Sequence, residues 1–147
     1  MNPLPKAARL LLGVGLLASC KKETDTYYAL QSEPGFFTIG ILGTTLNPTF
    51  ATKYGPGKAI PITAVYNQTD NPTTITLFQV TKTDSMQVGN YPATGGNFNT
   101  AFQTTTQAVS YTVPVSYALN TAVRLDVTMT FANGAQRRRR ISYTIAN

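Results

Sequence analysis

The residues of this 147-residue chain able to do chemistry are few: four consecutive arginines (Arg137, Arg138, Arg139, Arg140), one cysteine (Cys20) and, beyond residue 36, three aspartates (Asp70, Asp84, Asp126). Histidine and tryptophan are both absent. Without imidazole there is no Ser–His–Asp triad and no histidine-bearing zinc site, and a lone Cys makes no internal disulfide. The three aspartates lie on separate segments, so paired acid/base work has no local basis, and calcium, which takes six or more oxygens, is poorly supplied. The expectation is a non-enzymatic chain with no metal and no cofactor.

The net charge of +6 is concentrated in the arginine run. On a strand, alternate residues diverge, so Arg138 and Arg140 belong to the wet face. Arg137 and Arg139 share the core phase and must snorkel past Met129 at an end of the fold. Two readings stand for the run. It is a patch for an anionic partner, such as an acidic polysaccharide, lipid phosphates or a membrane surface, or it is charge that keeps an exposed edge from pairing with other chains. No interleaved aromatics offer a stacking platform, which argues against nucleic acid. Tyr54, beside Gly55-Pro56-Gly57, and Tyr91, before Pro92, fall in expected loops and are the candidate ligand-facing aromatics. Tyr66, Tyr111 and Tyr143 fall on inward phases and are expected in the core. Asn67-Gln68-Thr69 has the form of a glycosylation acceptor but reads as a strand end.

The N-terminus carries an address. Lys6 and Arg9 precede an apolar run, Leu10 to Leu17, followed by the small residues Ala18 and Ser19, as in a secretory signal. Eight helical residues reach only ~12 Å, well short of a ~30 Å hydrocarbon layer. The stretch Leu17-Ala18-Ser19-Cys20 resembles the lipobox of bacterial lipoproteins. That resemblance implies cleavage before Cys20 and a diacylglyceryl group on its sulfur, a membrane anchor with no transmembrane helix. Residues 1–19 are then a signal peptide, 20–35 a lipidated Cys and flexible polar tether ending at Pro34-Gly35, and 36–147 the folded domain. The expected location is the cell envelope, at the outer membrane, with periplasmic and surface-facing orientations both open.

The elements that must position these groups are strands. Thr, Val, Tyr and Phe abound, only 12% of residues are charged, and apolar residues alternate with period 2 between turn clusters. About seven strands are expected, over 36–42, 58–67, 73–82, 86–91, 98–104, 107–113 with a continuation past Pro114, 121–132 and 136–145. Turns are expected at Asn47-Pro48, Gly55-Pro56-Gly57, Asp70-Asn71-Pro72, Gly95-Gly96 and Asn133-Gly134. In the last hairpin, odd-numbered apolar residues on both arms must face inward together. A two-residue Asn133-Gly134 turn would oppose Val127 to Arg140, core against solvent. A three-residue loop, 132–134, with Gly134 left-handed opposes Leu125 to Ile141, Val123 to Tyr143 and Asp126 to Arg140, adding a cross-strand ion pair.

The run Tyr117-Ala-Leu119-Asn-Thr121-Ala-Val123-Arg-Leu125-Asp-Val127 resembles the approach to strand F in fibronectin type III modules. The resemblance implies an immunoglobulin-like or fibronectin type III-like antiparallel β-sandwich. Val123 stands where that family usually places a corner tyrosine, so its pinning hydrogen bond must be replaced. With its Tyr111-Thr112-Val113-Pro114 strand and a terminal hairpin ending in Ser142-Tyr143-Thr144-Ile145, most of the chain after Ser19 resembles small Bacteroidetes-type lipoproteins of unassigned function, and Asp84-Ser85-Met86 resembles the short O-glycosylation motif of Bacteroidetes secreted proteins, which implies a glycan on Ser85. The function these features imply is a lipid-anchored, non-catalytic interaction or adhesion module with a protein or glycan partner. The alternative is a glycan-binding accessory lipoprotein of an outer-membrane uptake system.

Overall fold

The computed structural model describes residues 34–40, 50–100 and 103–147, all within the unit Gln31–Asn147. Among these residues nine strands run in chain order: β1 (Phe37–Gly40), β2 (Lys53–Tyr54), β3 (Ala59–Tyr66), β4 (Pro72–Val80), β5 (Ser85–Pro92), β6 (Asn97–Asn99), β7 (Thr104–Thr112), β8 (Ala122–Phe131) and β9 (Gln136–Ile145). They form an all-β sandwich of two sheets, one ordered β1-β3-β7-β6 and the other β2-β9-β8-β4-β5. All pairings are antiparallel except β2 with β9.

The period-2 pattern becomes the core. Ile60, Ile62, Ala64 and Tyr66 of β3 face Ile75 and Leu77 of β4 and the odd residues Val123 to Phe131 of β8, and all are buried. Each large apolar side chain so buried stabilises the fold by about 1.5–3 kcal/mol. Tyr66, Tyr111 and Tyr143 are also buried, and their phenols need partners there. Tyr111 donates to Gln79 Oε1 at 2.6 Å and shares a 2.8 Å bond with the Tyr143 hydroxyl, while Gln79 Nε2 donates to Tyr117 Oη at 2.7 Å. Tyr66 donates to Gln107 Oε1 at 2.9 Å, and Gln107 Nε2 donates to the Pro92 carbonyl at 2.9 Å. These chains of side-chain bonds tie the two sheets together across an otherwise apolar interior.

The terminal hairpin has the three-residue loop. Leu125 opposes Ile141, Val123 opposes Tyr143 and Asp126 opposes Arg140. Phe131 N donates to the Ala135 carbonyl and Gly134 N to the Phe131 carbonyl, both at 2.9 Å, with Gly134 at φ +82°. At the entry to β8, Thr121 Oγ1 donates to the Ala118 carbonyl at 2.7 Å and Asn120 N to the Ile145 carbonyl at 2.7 Å.

Two strand expectations are corrected. Residues 98–104 are not one strand: β6 ends at Asn99, and β7 begins at Thr104 after Gln103 turns left-handed at φ +53°. β7 also stops at Thr112 instead of continuing past Pro114, which has no N–H to extend the ladder; Val113 N closes it by donating to the Lys58 carbonyl at 2.9 Å. β2 had no counterpart among the expected strands. The expected turn at Asn47-Pro48 and residues 41–42 of the first strand lie outside the described residues. The Gly55-Pro56-Gly57 turn closes through Lys58 N to the Gly55 carbonyl at 3.2 Å, with Gly57 at φ +73° as its third position requires. Asn67 directly follows β3 and caps a 3-10 turn, Gln68–Asp70, by accepting from Thr69 N.

Candidate functional site: a cationic sheet face

The arginine run divides as alternation requires. Arg138 and Arg140 stand on the outer face of β9, and β8 contributes Arg124, Asp126 and Thr128 to the same face, because Asp126 opposes Arg140 and Thr128 opposes Arg138. Asp126 is the centre. Its Oδ1 lies 3.1 Å from Arg124 Nε and accepts from Arg140 Nε at 3.2 Å, and its Oδ2 lies 3.7 Å from Arg138 Nη1. Although it sits on the solvent side, Asp126 is only 3% exposed. Three long cationic side chains and Phe78, opposite it on β4, lie around it.

The electrostatics of this face are lopsided. One carboxylate serves three guanidinium groups, whose side chains remain 39–56% exposed, so the face keeps a net positive field. Arg124 Nε makes no hydrogen bond despite its short approach to Asp126, so it is held by charge with its N–H direction unused. Thr128 Oγ1, buried beneath the same arginines, also has no partner. A planar fork held over a buried carboxylate is stiffer than a free arginine and presents its remaining N–H groups outward, where an oxyanion can accept them.

Arg137 and Arg139 lie apart from this cluster. They occupy the inner phase of β9, opposite Met129 and Val127, yet both are exposed. The Arg137 guanidinium lies against Gly35, whose N donates to Asp70 Oδ2 at 2.8 Å, in a small cavity of about 140 Å³. Arg139 Nη1 donates to the Arg138 carbonyl at 3.3 Å. β2 pairs only with Thr144 and Ile145, so along the arginine run β9 has no outer neighbour among the described residues. The run therefore also occupies an open edge, where charge discourages pairing.

Tyr54 and Tyr91 are not arranged as an open aromatic platform. Tyr54 packs edge-on against Tyr143, with centroids 5.5 Å apart, and accepts from Ala51 N at 3.2 Å. Tyr91 leans on the core and donates to the Ser110 carbonyl at 2.8 Å, joining β5 to β7. Ser85 opens β5, exposed, its N donating to Asp84 Oδ1 at 2.8 Å. Cys20 and the Leu17-Ala18-Ser19 motif lie outside the described residues. Among the described residues no three His, Cys, Asp or Glu side chains gather as metal ligands, and no helix is long and apolar enough to cross a membrane.

Sequence reasoning singled out the run and the Asp126–Arg140 pair but not Arg124 or Thr128. The available signal was Arg124-Leu-Asp126, two opposite charges at strand spacing on one face, two residues apart and level with the far arm of the hairpin. No protein-family model matches the chain, and comparison with curated proteins finds no significant relative.

Proposed function

We propose that this chain is a lipid-anchored cell-envelope protein whose immunoglobulin-like sandwich is a non-catalytic interaction module, working through the cationic face centred on Asp126. The observation that carries the reading is the pairing of the chain's only cysteine, Cys20, at a lipobox-like site with a folded domain whose charge gathers on one sheet face. Strand order supports the immunoglobulin-like part: β1-β3-β7-β6 corresponds to A-B-E-D, and β9-β8-β4 to G-F-C, of the immunoglobulin sandwich. Thr74, Thr76 and Thr130, on the same face of β4 and β8 as the arginines, add hydroxyl groups suited to a macromolecular partner, protein or glycan.

Acyl labelling of the wild type against Cys20→Ser, with protease accessibility on whole cells, tests anchoring and orientation together. The reading requires label in the wild type alone and a membrane-fractionating protein. Equal label in both forms, or a wild type recovered from the cytosol, refutes it.

A further inference from the structure

The cationic face continues into a trough where β8 and β9 carry small side chains. It is an open depression of about 440 Å³, lined by the small side chains of Ala122 and Ser142, by Arg124 and Lys82, and by the hydroxyl-bearing Thr52 and Thr144. Its shape follows from the register. Arg124 opposes Ser142 and Ala122 opposes Thr144, so a row with a long side chain is followed by a row with none. The short parallel strand β2 brings Thr52 to the far side, where its carbonyl accepts from Thr144 N at 2.9 Å.

The lining mixes apolar and polar groups. Val80, Ala122 and Val123 supply apolar surface, the charged lining residues are the two cations Lys82 and Arg124, and none of the lining residues is acidic. Lys82 has no carboxylate partner among the described residues, and Arg124, whose Nε is paired with Asp126, keeps its side chain 39% exposed. A volume of this size lies in the range of small-ligand sites, about 300–1,000 Å³. Hydroxyl groups flanking paired cations match a ligand that is itself polyhydroxylated and carries an oxyanion. The exposed large apolar residues Met86, Val88, Phe98, Val115 and Leu119 all lie outside the trough, so it offers no protruding apolar side chain to a bilayer.

We infer that this trough binds one residue of an acidic saccharide, its carboxylate or phosphate held between Lys82 and Arg124 and its ring hydroxyls received by Ser142, Thr144 and Thr52. The inference deepens the interaction-module reading and rests on it. Arg138 and Arg140, next along the same face, extend the positive field along which a longer acidic chain would lie.

Calorimetric titration of the full chain with oligogalacturonate, mannose 6-phosphate, neutral oligogalactose and anionic phospholipid vesicles tests it. Binding is expected for the carboxylated or the phosphorylated sugar, weakening at high salt and absent for the neutral one; the two acidic arms identify the anion. Lys82→Gln and Arg124→Gln should each weaken that binding roughly tenfold or more. Ser142→Phe, which fills the depression from an exposed position, should abolish it with the thermal midpoint unchanged, so the result stands even where Arg124→Gln disturbs Asp126. Binding to no acidic sugar, equal binding of the neutral sugar, binding to vesicles alone, or indifference to Ser142→Phe overturns the inference. Acidic-sugar binding by a wild type that takes up no acyl label would refute the anchor and leave the trough standing, whereas acylation without sugar binding does the reverse.

Discussion

Replacing Tyr111 by Phe removes one oxygen from the centre of the sandwich and leaves the ring in place. That hydroxyl donates to Gln79 Oε1 at 2.6 Å and shares a hydrogen with the Tyr143 hydroxyl at 2.8 Å. Gln79 is 2% exposed, so its carbonyl oxygen can find no water when the donor is gone. An orphaned buried polar atom costs about 1–3 kcal/mol, and two atoms lose a partner here, so the loss should be about 3 kcal/mol. That is a large share of a domain stability of ~5–15 kcal/mol and corresponds to a fall of roughly 10 °C in the thermal midpoint. Urea denaturation of the full chain measures it, with the m-value unchanged if only stability has moved. The double variant Tyr111→Phe with Gln79→Leu removes donor and acceptor together and should cost less than the sum of the two single changes. A single-variant loss under about 0.5 kcal/mol, or strict additivity, would show that the hydroxyl chain is not what joins the sheets here.

Three further outcomes follow from the same geometry. Asp126→Asn leaves three arginines without their counter-ion and should cost about 2 kcal/mol at low salt and less at high salt, while Arg138→Ser, at 3.7 Å and half exposed, should stay within ~0.5 kcal/mol; denaturant midpoints at two salt concentrations check both. Burial raises the pKa values of Tyr66, Tyr111 and Tyr143 above the ordinary 10.0, aided at Tyr111 by its bond to Tyr143 and opposed at Tyr143 by that same bond. The unfolded chain then releases those protons near pH 10 while the folded chain keeps them. Stability is therefore full below pH 10 and falls above it, by up to about 1.4 kcal/mol per pH unit for each tyrosine, and a urea midpoint constant through pH 11 would contradict this. In Gly96→Ala the new methyl would overlap Thr105 Cγ2 and stand 2.9 Å from the Thr106 carbonyl oxygen, which should cost ~3 kcal/mol, whereas Gly134→Ala meets nothing within 4 Å and should cost only about 1–2 kcal/mol for its left-handed φ; paired thermal melts separate the two mechanisms.

Legibility in the sequence tracked how local each contact is. The β8–β9 hairpin could be read to the residue because Val123, Leu125 and Val127 on one arm and Ile141 and Tyr143 on the other admit only one parity across a short loop. The Asp126–Arg140 pair came with that register. The boundary between β6 and β7 could not be read, since Thr104, Thr105 and Thr106 offer no contrast between inward and outward positions, and propensity alone runs straight through the break at Gln103. The trough was hidden for a different reason. Its walls come from Lys82 after β4, Arg124 on β8 and Thr52 before β2, and a two-residue parallel strand leaves no periodicity to find. Tyr54 and Tyr91 read as loop aromatics because turn residues flank them, while their rings are drawn to the core by Tyr143 and by the Ser110 carbonyl.

The function proposed for this protein depends on Cys20, its one thiol, holding a sandwich with a cationic face at a bilayer. Intact-mass spectrometry of the mature protein extracted from membranes tests it most directly. The expected mass is that of residues 20–147 plus a diacylglyceryl group, with the lipid localised to Cys20 by fragmentation. A chain that retains Met1 and carries an unmodified Cys20 would contradict the account.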